Sequence, residues 1–192
     1  MRKELKEFLK SDEMVMCLPR DYSSDVISQW MKCRFILRPP INFILSWFAK
    51  AIFTSRWTAA YYRFFLGMKI GKRVGFAQIN PDVIMPELIE IGDDSTIGWK
   101  VTLATHEFTK DKQRFGRIII GKNVLVGALS AVRSGVRIGD NSVIIPMSFV
   151  FCDVPPNEVW GGNPAKKIRS INKPGKTNST PIVEARVHSS IN

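Results

Sequence analysis

Cysteine and histidine are scarce in this chain. The three cysteines, Cys17, Cys33 and Cys152, show no spacing pattern. That excludes a disulfide framework or a cysteine zinc cluster and fits reduced thiols in a cytoplasmic protein. The two histidines, His106 and His188, are too few for a three-histidine metal site. Long apolar runs are missing as well. After Pro39 and Pro40, the run Ile41 to Ala49 reaches Lys50 within nine residues, whereas a membrane-spanning helix needs about 20. The first ten residues, MRKELKEFLK, contain no apolar core and no small-residue cleavage site, so no secretory signal is read there.

One further absence is local. Between Val26 and Arg73 there is no Asp or Glu, while nine Lys or Arg supply +9 of the chain's net +11. The same 48 residues hold 11 of the 20 aromatics, among them Trp30, Trp47, Phe48, Trp57, Tyr61, Tyr62, Phe64 and Phe65. From Ile41 to Phe65 the sequence reads as a mostly apolar helix broken by Lys50, Arg56 and Arg63. Two readings stay open. The helix lies in the interface of an anionic membrane, or its aromatics cover the open end of the fold formed by the rest of the chain. No nucleic-acid motif accompanies the basic residues, so no nucleic-acid partner is expected.

From residue 70 the chain settles into a period of six. Ile91, Ile97 and Leu103 form one run, and Ile120, Val126, Val132, Ile138, Ile144 and Val150 form a second. A small or β-branched residue mostly stands two places before each. Neither a helix nor simple strand alternation produces this spacing. Hexads of this kind are the mark of a parallel β-helix, each contributing a short strand, a turn and one inward aliphatic side chain. The first hexad is Ile70 to Gly75. The period breaks at Asn80–Pro86, and again after Leu103, where 17 residues to Ile120 lose the phase. The second break contains Thr105-His106-Glu107-Phe108, and loops that interrupt a solenoid are where function is grafted.

Four segments carry a family resemblance. Leu103-Ala104-Thr105-His106, Ile120 to Gly127 (IGKNVLVG), Gly135 to Asn141 (GVRIGDN), and Asp153-Val154-Pro155-Pro156 with Gly161 to Lys166 (GGNPAK) resemble the hexapeptide-repeat acyltransferases, the maltose, galactoside, serine and xenobiotic acetyltransferases among them. The resemblance covers about residues 70–169. It implies an all-β core, a left-handed parallel β-helix wound against the usual crossover hand. The non-repeating residues 1–69 read as an N-terminal helical region, and 170–192, rich in Ser, Thr, Asn, Lys and Pro without periodicity, as a disordered tail. The resemblance also implies a homotrimer with sites between subunits, acetyl-CoA as acyl donor, and a hydroxyl or amine as acceptor; the basic, aromatic N-terminal stretch suggests that the acceptor is a sugar, glycan or lipid-linked molecule. No metal is expected.

By position, the resemblance makes His106 the general base and assigns coenzyme A contacts to Ala128, Pro146, Ser148, Lys166 and Arg169. A neutral imidazole is suited to taking a proton at neutral pH, and basic side chains complement phosphates. His188 lies in the tail and is a poor candidate. Glu107 is not expected to orient His106, because neighbours in an extended segment point opposite ways. Two positions depart from the family pattern: Leu125 replaces a Trp, and Pro146 brings no N–H to the turn Ile145-Pro146-Met147-Ser148. A zinc-dependent carbonic anhydrase shares the fold but lacks its histidines here. A non-catalytic repeat protein is the alternative, and cytoplasmic placement with peripheral contact at the inner membrane face through 26–73 completes the expectation.

Overall fold

The computed structural model describes residues 3–19, 37–51 and 55–171. Cys33, Trp30, His188 and the expected tail beyond Ile171 lie outside the described residues. The hexads build three parallel sheets, and each turn of the chain contributes one short strand to each sheet. The first coil supplies β2 (Lys69–Ile70), β3 (Gly75–Phe76) and β4 (Asn80–Pro81). The second supplies β5 (Ile89–Ile91), β6 (Thr96–Ile97) and β7 (Thr102–Leu103). β8 (His106–Phe108) and β9 (Lys112–Gly116) then intervene. The third coil is β10 (Ile118–Ile120), β11 (Leu125–Val126) and β12 (Ala131–Val132), and the fourth is β13 (Arg137–Ile138), β14 (Val143–Ile144) and β15 (Phe149–Val150). β16 (Glu158–Gly161) and β17 (Lys166–Ser170) close the far end, β17 antiparallel along the edge.

The period-six aliphatics are the core. Ile70, Ile91, Ile120 and Ile138 stack in register along one sheet. Ile97, Val126 and Ile144 stack along the second, and Leu103, Val132 and Val150 along the third. All are buried, and each contributes about 1.5–3 kcal/mol of hydrophobic stabilisation. At one corner the turn residues Asn123, Asn141 and Asn157 adopt the left-handed conformation. Their side-chain amides hydrogen-bond in a ladder, Asn123 Nδ2 to Asn141 Oδ1 at 3.0 Å and Asn141 Nδ2 to Asn157 Oδ1 at 3.1 Å. Asn tolerates that conformation better than other side chains.

The phase that the sequence loses after Leu103 is kept in space. Leu103 stacks on Val132 and Ile91 on Ile120 as if nothing intervened. The chain advances 29 residues from Ile91 to Ile120, against 18 from Ile120 to Ile138. The eleven additional residues leave the coil at a corner as the β8–β9 hairpin. The break at Asn80–Pro86 is the same event on a smaller scale, since 21 residues separate Ile70 from Ile91.

Residues 1–69 are not helical throughout. α1 (Lys3–Lys10) leads into β1 (Val15–Pro19), which pairs antiparallel with β9 and completes a three-stranded sheet on the hairpin. The expected helix over Ile41–Phe65 is two helices. α2 runs Arg38–Ala49, with Pro39 and Pro40 inside its first turn, where a missing N–H costs nothing. α3 (Ser55–Tyr61) continues as a π-helical turn, Tyr62–Leu66, and ends at Gly67 in the left-handed conformation. Ala49, Ala59, Tyr62, Leu66 and Met68 join the coil's core cluster and close its open end.

Candidate active site

The two irregular corners are consecutive. β4 and β7 are neighbours in one sheet, with Pro81 stacked on Leu103. The residues that leave the coil after each strand therefore meet. Asp82 comes directly after Pro81, and its Oδ2 lies 2.5 Å from His106 Nδ1. The same oxygen accepts the Thr105 N–H at 2.9 Å, while Oδ1 accepts the N–H groups of Ile84 and Met85 at 2.7 and 3.2 Å. The Asp82 side chain is 1% exposed and that of His106 25%. Burial pushes the Asp82 carboxyl up. The hydrogen bond and charge of His106, with the Ile84 and Met85 amides, outweigh that and hold it below the usual carboxylate range. A carboxylate only accepts, so it keeps a proton on Nδ1; in the neutral ring, that tautomer leaves the lone pair on Nε2.

The loop around Asp82 is held from beneath. Ile84, Met85 and Leu88 pack with Leu5, Phe8, Leu18 and Phe115 in a second core between α1, β1 and the hairpin. Thr105 is buried, and its hydroxyl donates to the Met85 carbonyl at 3.1 Å. Phe115, paired opposite His106, fills the same core. Arg117 secures α1 from the other side. Its guanidinium donates to the carbonyl of Phe8 in the last turn of the helix at 3.1 Å, and to those of Ser11 and Glu13 just beyond it at 2.7 and 3.0 Å.

Glu107 points away from His106, as alternation requires. It receives Arg133 Nε at 2.8 and 2.9 Å, Arg133 Nη2 at 2.8 Å and the Ser134 hydroxyl at 2.7 Å. Arg114 donates to the Ser134 hydroxyl and carbonyl, both at 3.1 Å. Burial pushes Glu107 up, but the Arg133 and Ser134 hydrogen bonds and the charges of Arg133 and Arg114 bring it below its usual value. This cluster ties the hairpin to the third coil. Gly135, at φ +78°, permits that contact: a Cβ there would stand 2.3 Å from Val15 Cγ2 and 2.8 Å from Arg114 Nη2.

The positions assigned to coenzyme A are not all alike. Ala128 and Pro146 occupy turns on successive coils at one corner, and a Cβ on Gly127 would meet Pro146 N at 2.4 Å. Ser148 is buried. Its hydroxyl donates to the Ile145 carbonyl at 2.7 Å and accepts the Gly162 N–H at 3.2 Å, so its side chain holds the turn. Lys166 and Arg169 lie exposed on β17 and form no ion pair among the described residues. Lys167, between them, is engaged by Glu158 at 2.5 Å.

Residues 117–151 match the family model described as bacterial transferase hexapeptide, six repeats. A putative acetyltransferase of Staphylococcus aureus is 37% identical over 124 residues, 64% of this chain and 77% of that protein. The chain belongs to the bacterial hexapeptide-repeat transferases. Two other relatives in this family are matched over less of their length. The putative acetyltransferase YvoF of Bacillus subtilis is 40% identical over 56% of this chain and 63% of its own. The galactoside O-acetyltransferase of Escherichia coli is 36% identical over 58% of each. The match thus spans about three-fifths of those two proteins. Among solved structures, a hexapeptide-repeat acetyltransferase of Vibrio cholerae in complex with acetyl coenzyme A has a TM-score of 0.62 at 22% identity, covering 90% of this chain and 100% of that one. A galactoside acetyltransferase in complex with coenzyme A has a TM-score of 0.58 at 21% identity, with 88% and 91% covered. These hexapeptide-repeat structures share the fold.

Asp82 was not foreseen from the sequence. The signal was present, however: both period breaks come after the third hexad of a coil, and in a stacked solenoid equivalent corners touch.

Proposed function

We propose that this hexapeptide-repeat protein is an acetyl-CoA-dependent acetyltransferase acting on a hydroxyl or amine of a sugar, glycan or lipid-linked acceptor. The observation that carries the reading is the buried Asp82 carboxylate hydrogen-bonded to His106 Nδ1 on the interrupting hairpin. A repeat scaffold without catalysis has no need of a desolvated carboxylate dedicated to a partly exposed imidazole, so the geometry favours an enzyme.

In the proposed step, His106 Nε2 takes the proton of the acceptor O–H or N–H while the acceptor atom attacks the thioester carbonyl. The tetrahedral adduct collapses with cleavage of the C–S bond, and the imidazolium returns its proton to the departing thiolate. Asp82 stabilises the imidazolium and holds the ring in the productive tautomer, as in acid–base pairs generally. Base catalysis of this kind contributes about 10²–10⁴-fold.

The likeness to acetyltransferases solved with acetyl coenzyme A or coenzyme A supports the donor. Ala128 and Pro146 would line the pantetheine arm, and Lys166 and Arg169, which form no ion pair among the described residues, would face phosphate. Ser148 contributes by holding the turn. A left-handed winding and a trimer with sites between subunits belong to the same reading. So does a division into an N-terminal region over 1–69, in which helices flank β1, the coil over 70–169 and a tail that follows β17 at Ser170. No described helix is long and apolar enough to cross a membrane. The basic, aromatic composition of 26–73 supports peripheral placement at the inner membrane face.

The test is thiol release from acetyl-CoA across a panel of sugar, glycan and amine acceptors, with His106→Ala as control. Acceptor-dependent release that the substitution abolishes supports the proposal. Release that His106→Ala leaves unchanged favours a non-catalytic repeat protein.

A further inference from the structure

α2 is amphipathic in the inverted sense. The stripe it turns to the coil is Pro39, Asn42, Ser46 and Ala49, small or polar residues spaced at helical intervals. The side it leaves outside is Ile41, Phe43, Ile44, Trp47 and Phe48, with Phe43 64% and Trp47 63% exposed. A helix that served only to cap a coil would bury its apolar side. α3 and its π-helical turn extend the surface with Trp57, at 69% exposure, Phe64, at 82%, and Phe65. Nine of the sixteen large exposed apolar side chains among the described residues lie between Leu37 and Phe65. Such a concentration of exposed apolar side chains marks a docking face.

Charge identifies the occupant. The face is flanked by Arg38, which donates to the Phe65 carbonyl at 3.3 Å, and by Lys50, at the other end of α2. No acidic residue occurs from 26 to 73. Self-association through the face would set cation against cation with no carboxylate to offset them, whereas an anionic lipid surface supplies that complement. Twelve residues make α2 about 18 Å long, too short to span the roughly 30 Å hydrocarbon core. Trp and Phe with flanking Lys and Arg are the composition of a helix lying at the headgroup level.

The docking helix also touches the loop that carries the Asp82 carboxylate. Asn42 Nδ2, on the buried stripe of α2, donates to the Val83 carbonyl at 2.8 Å, one residue from Asp82. We propose that α2 and α3 lie on an anionic bilayer surface, and that the Asn42–Val83 clamp holds the Asp82–His106 pair beside it, so that acceptors are taken from molecules presented at that surface. The acceptor part rests on the acyltransferase reading; the docking part does not.

The experiment is flotation of the full chain with phosphatidylcholine vesicles and with vesicles containing 30% phosphatidylglycerol, at low and high salt. Its companion is the variant Trp47→Ser/Phe48→Ser/Phe64→Ser, whose side chains are all outside the core. Binding to the anionic vesicles that weakens with salt and falls at least tenfold in the variant is expected, with the melting temperature preserved. No flotation, or equal flotation of the variant, overturns the proposal. A drop in oligomeric mass in the variant, measured by light scattering, assigns the face to a second copy and also overturns it. His106→Ala separates the two readings: it floats like the parent chain whether or not acetyl transfer is found. Thiol release that is no greater with a lipid-anchored acceptor in anionic vesicles than with its soluble counterpart overturns the acceptor part alone.

Discussion

Replacing Asp82 with Asn alters one atom of the site and leaves its volume unchanged. The carboxylate accepts four hydrogen bonds, two on each oxygen. An amide offers one accepting oxygen. If that oxygen stays with the Ile84 and Met85 N–H groups, the amide NH2 confronts the Thr105 N–H and His106 Nδ1. A buried amide then loses its partner, at a cost of about 1–3 kcal/mol. His106 escapes the clash only by accepting at Nδ1, which moves its proton to Nε2 and removes the proposed base. Turnover in the thiol-release assay should therefore fall about 10²–10⁴-fold with little change in the KM for acetyl-CoA. Because the two residues act as a unit, Asp82→Asn combined with His106→Ala should be no slower than His106→Ala alone. An Asp82→Asn enzyme with more than half of parental turnover, or a double variant showing the product of the single losses, would refute the reasoning.

The same geometry fixes three further outcomes. The Asp82 and Glu107 carboxyls are both held below their usual values in the folded chain. The stability they contribute is therefore present above the ordinary carboxyl range, about pH 4, and is lost as pH falls through it. The melting temperature should drop between about pH 5 and 3, and the Asp82→Asn/Glu107→Gln double variant should show a shallower drop. Gly135→Ala forces a side chain into a positive φ and against Val15 and Arg114. It should lower stability by about 1–2 kcal/mol by denaturant titration and speed hydrogen exchange in the hairpin more than in the coil. Arg117→Met removes the donors to the end of α1 while keeping much of the side chain's bulk. A loss of about 1–3 kcal/mol, accompanied by proteolytic release of the N-terminal segment, is expected.

The coil was legible because a single rule, one inward aliphatic every six residues, repeats often enough to exclude chance. Ile120 to Val150 obeys it without exception. His106 was legible as the histidine in a break of that rule. Asp82 was not, because its partner is 24 residues away and their meeting depends on which corner each break occupies. β1 was missed for a similar reason. Val15–Pro19 pairs with a segment nearly a hundred residues later, and five residues beside a short helix carry no local sign of that partner. In α2, composition marked the aromatics, but only packing shows that Pro39, Asn42, Ser46 and Ala49 face inward and the aromatics outward.

The corner insertions have a consequence for variation. Three residues leave the coil in one turn and eleven in the next, yet Ile70, Ile91 and Ile120 still stack in register. Corners are thus tolerant of length, while the strands between them are not. A hairpin of different length or sequence could be exchanged after Leu103 without re-pairing a single coil strand, provided that it keeps a His on the Asp82 carboxylate and a residue to engage Arg133. The stack behaves as a fixed rack and its corner as a socket, so hairpins of different length can be fitted by loop replacement instead of by redesign of the core.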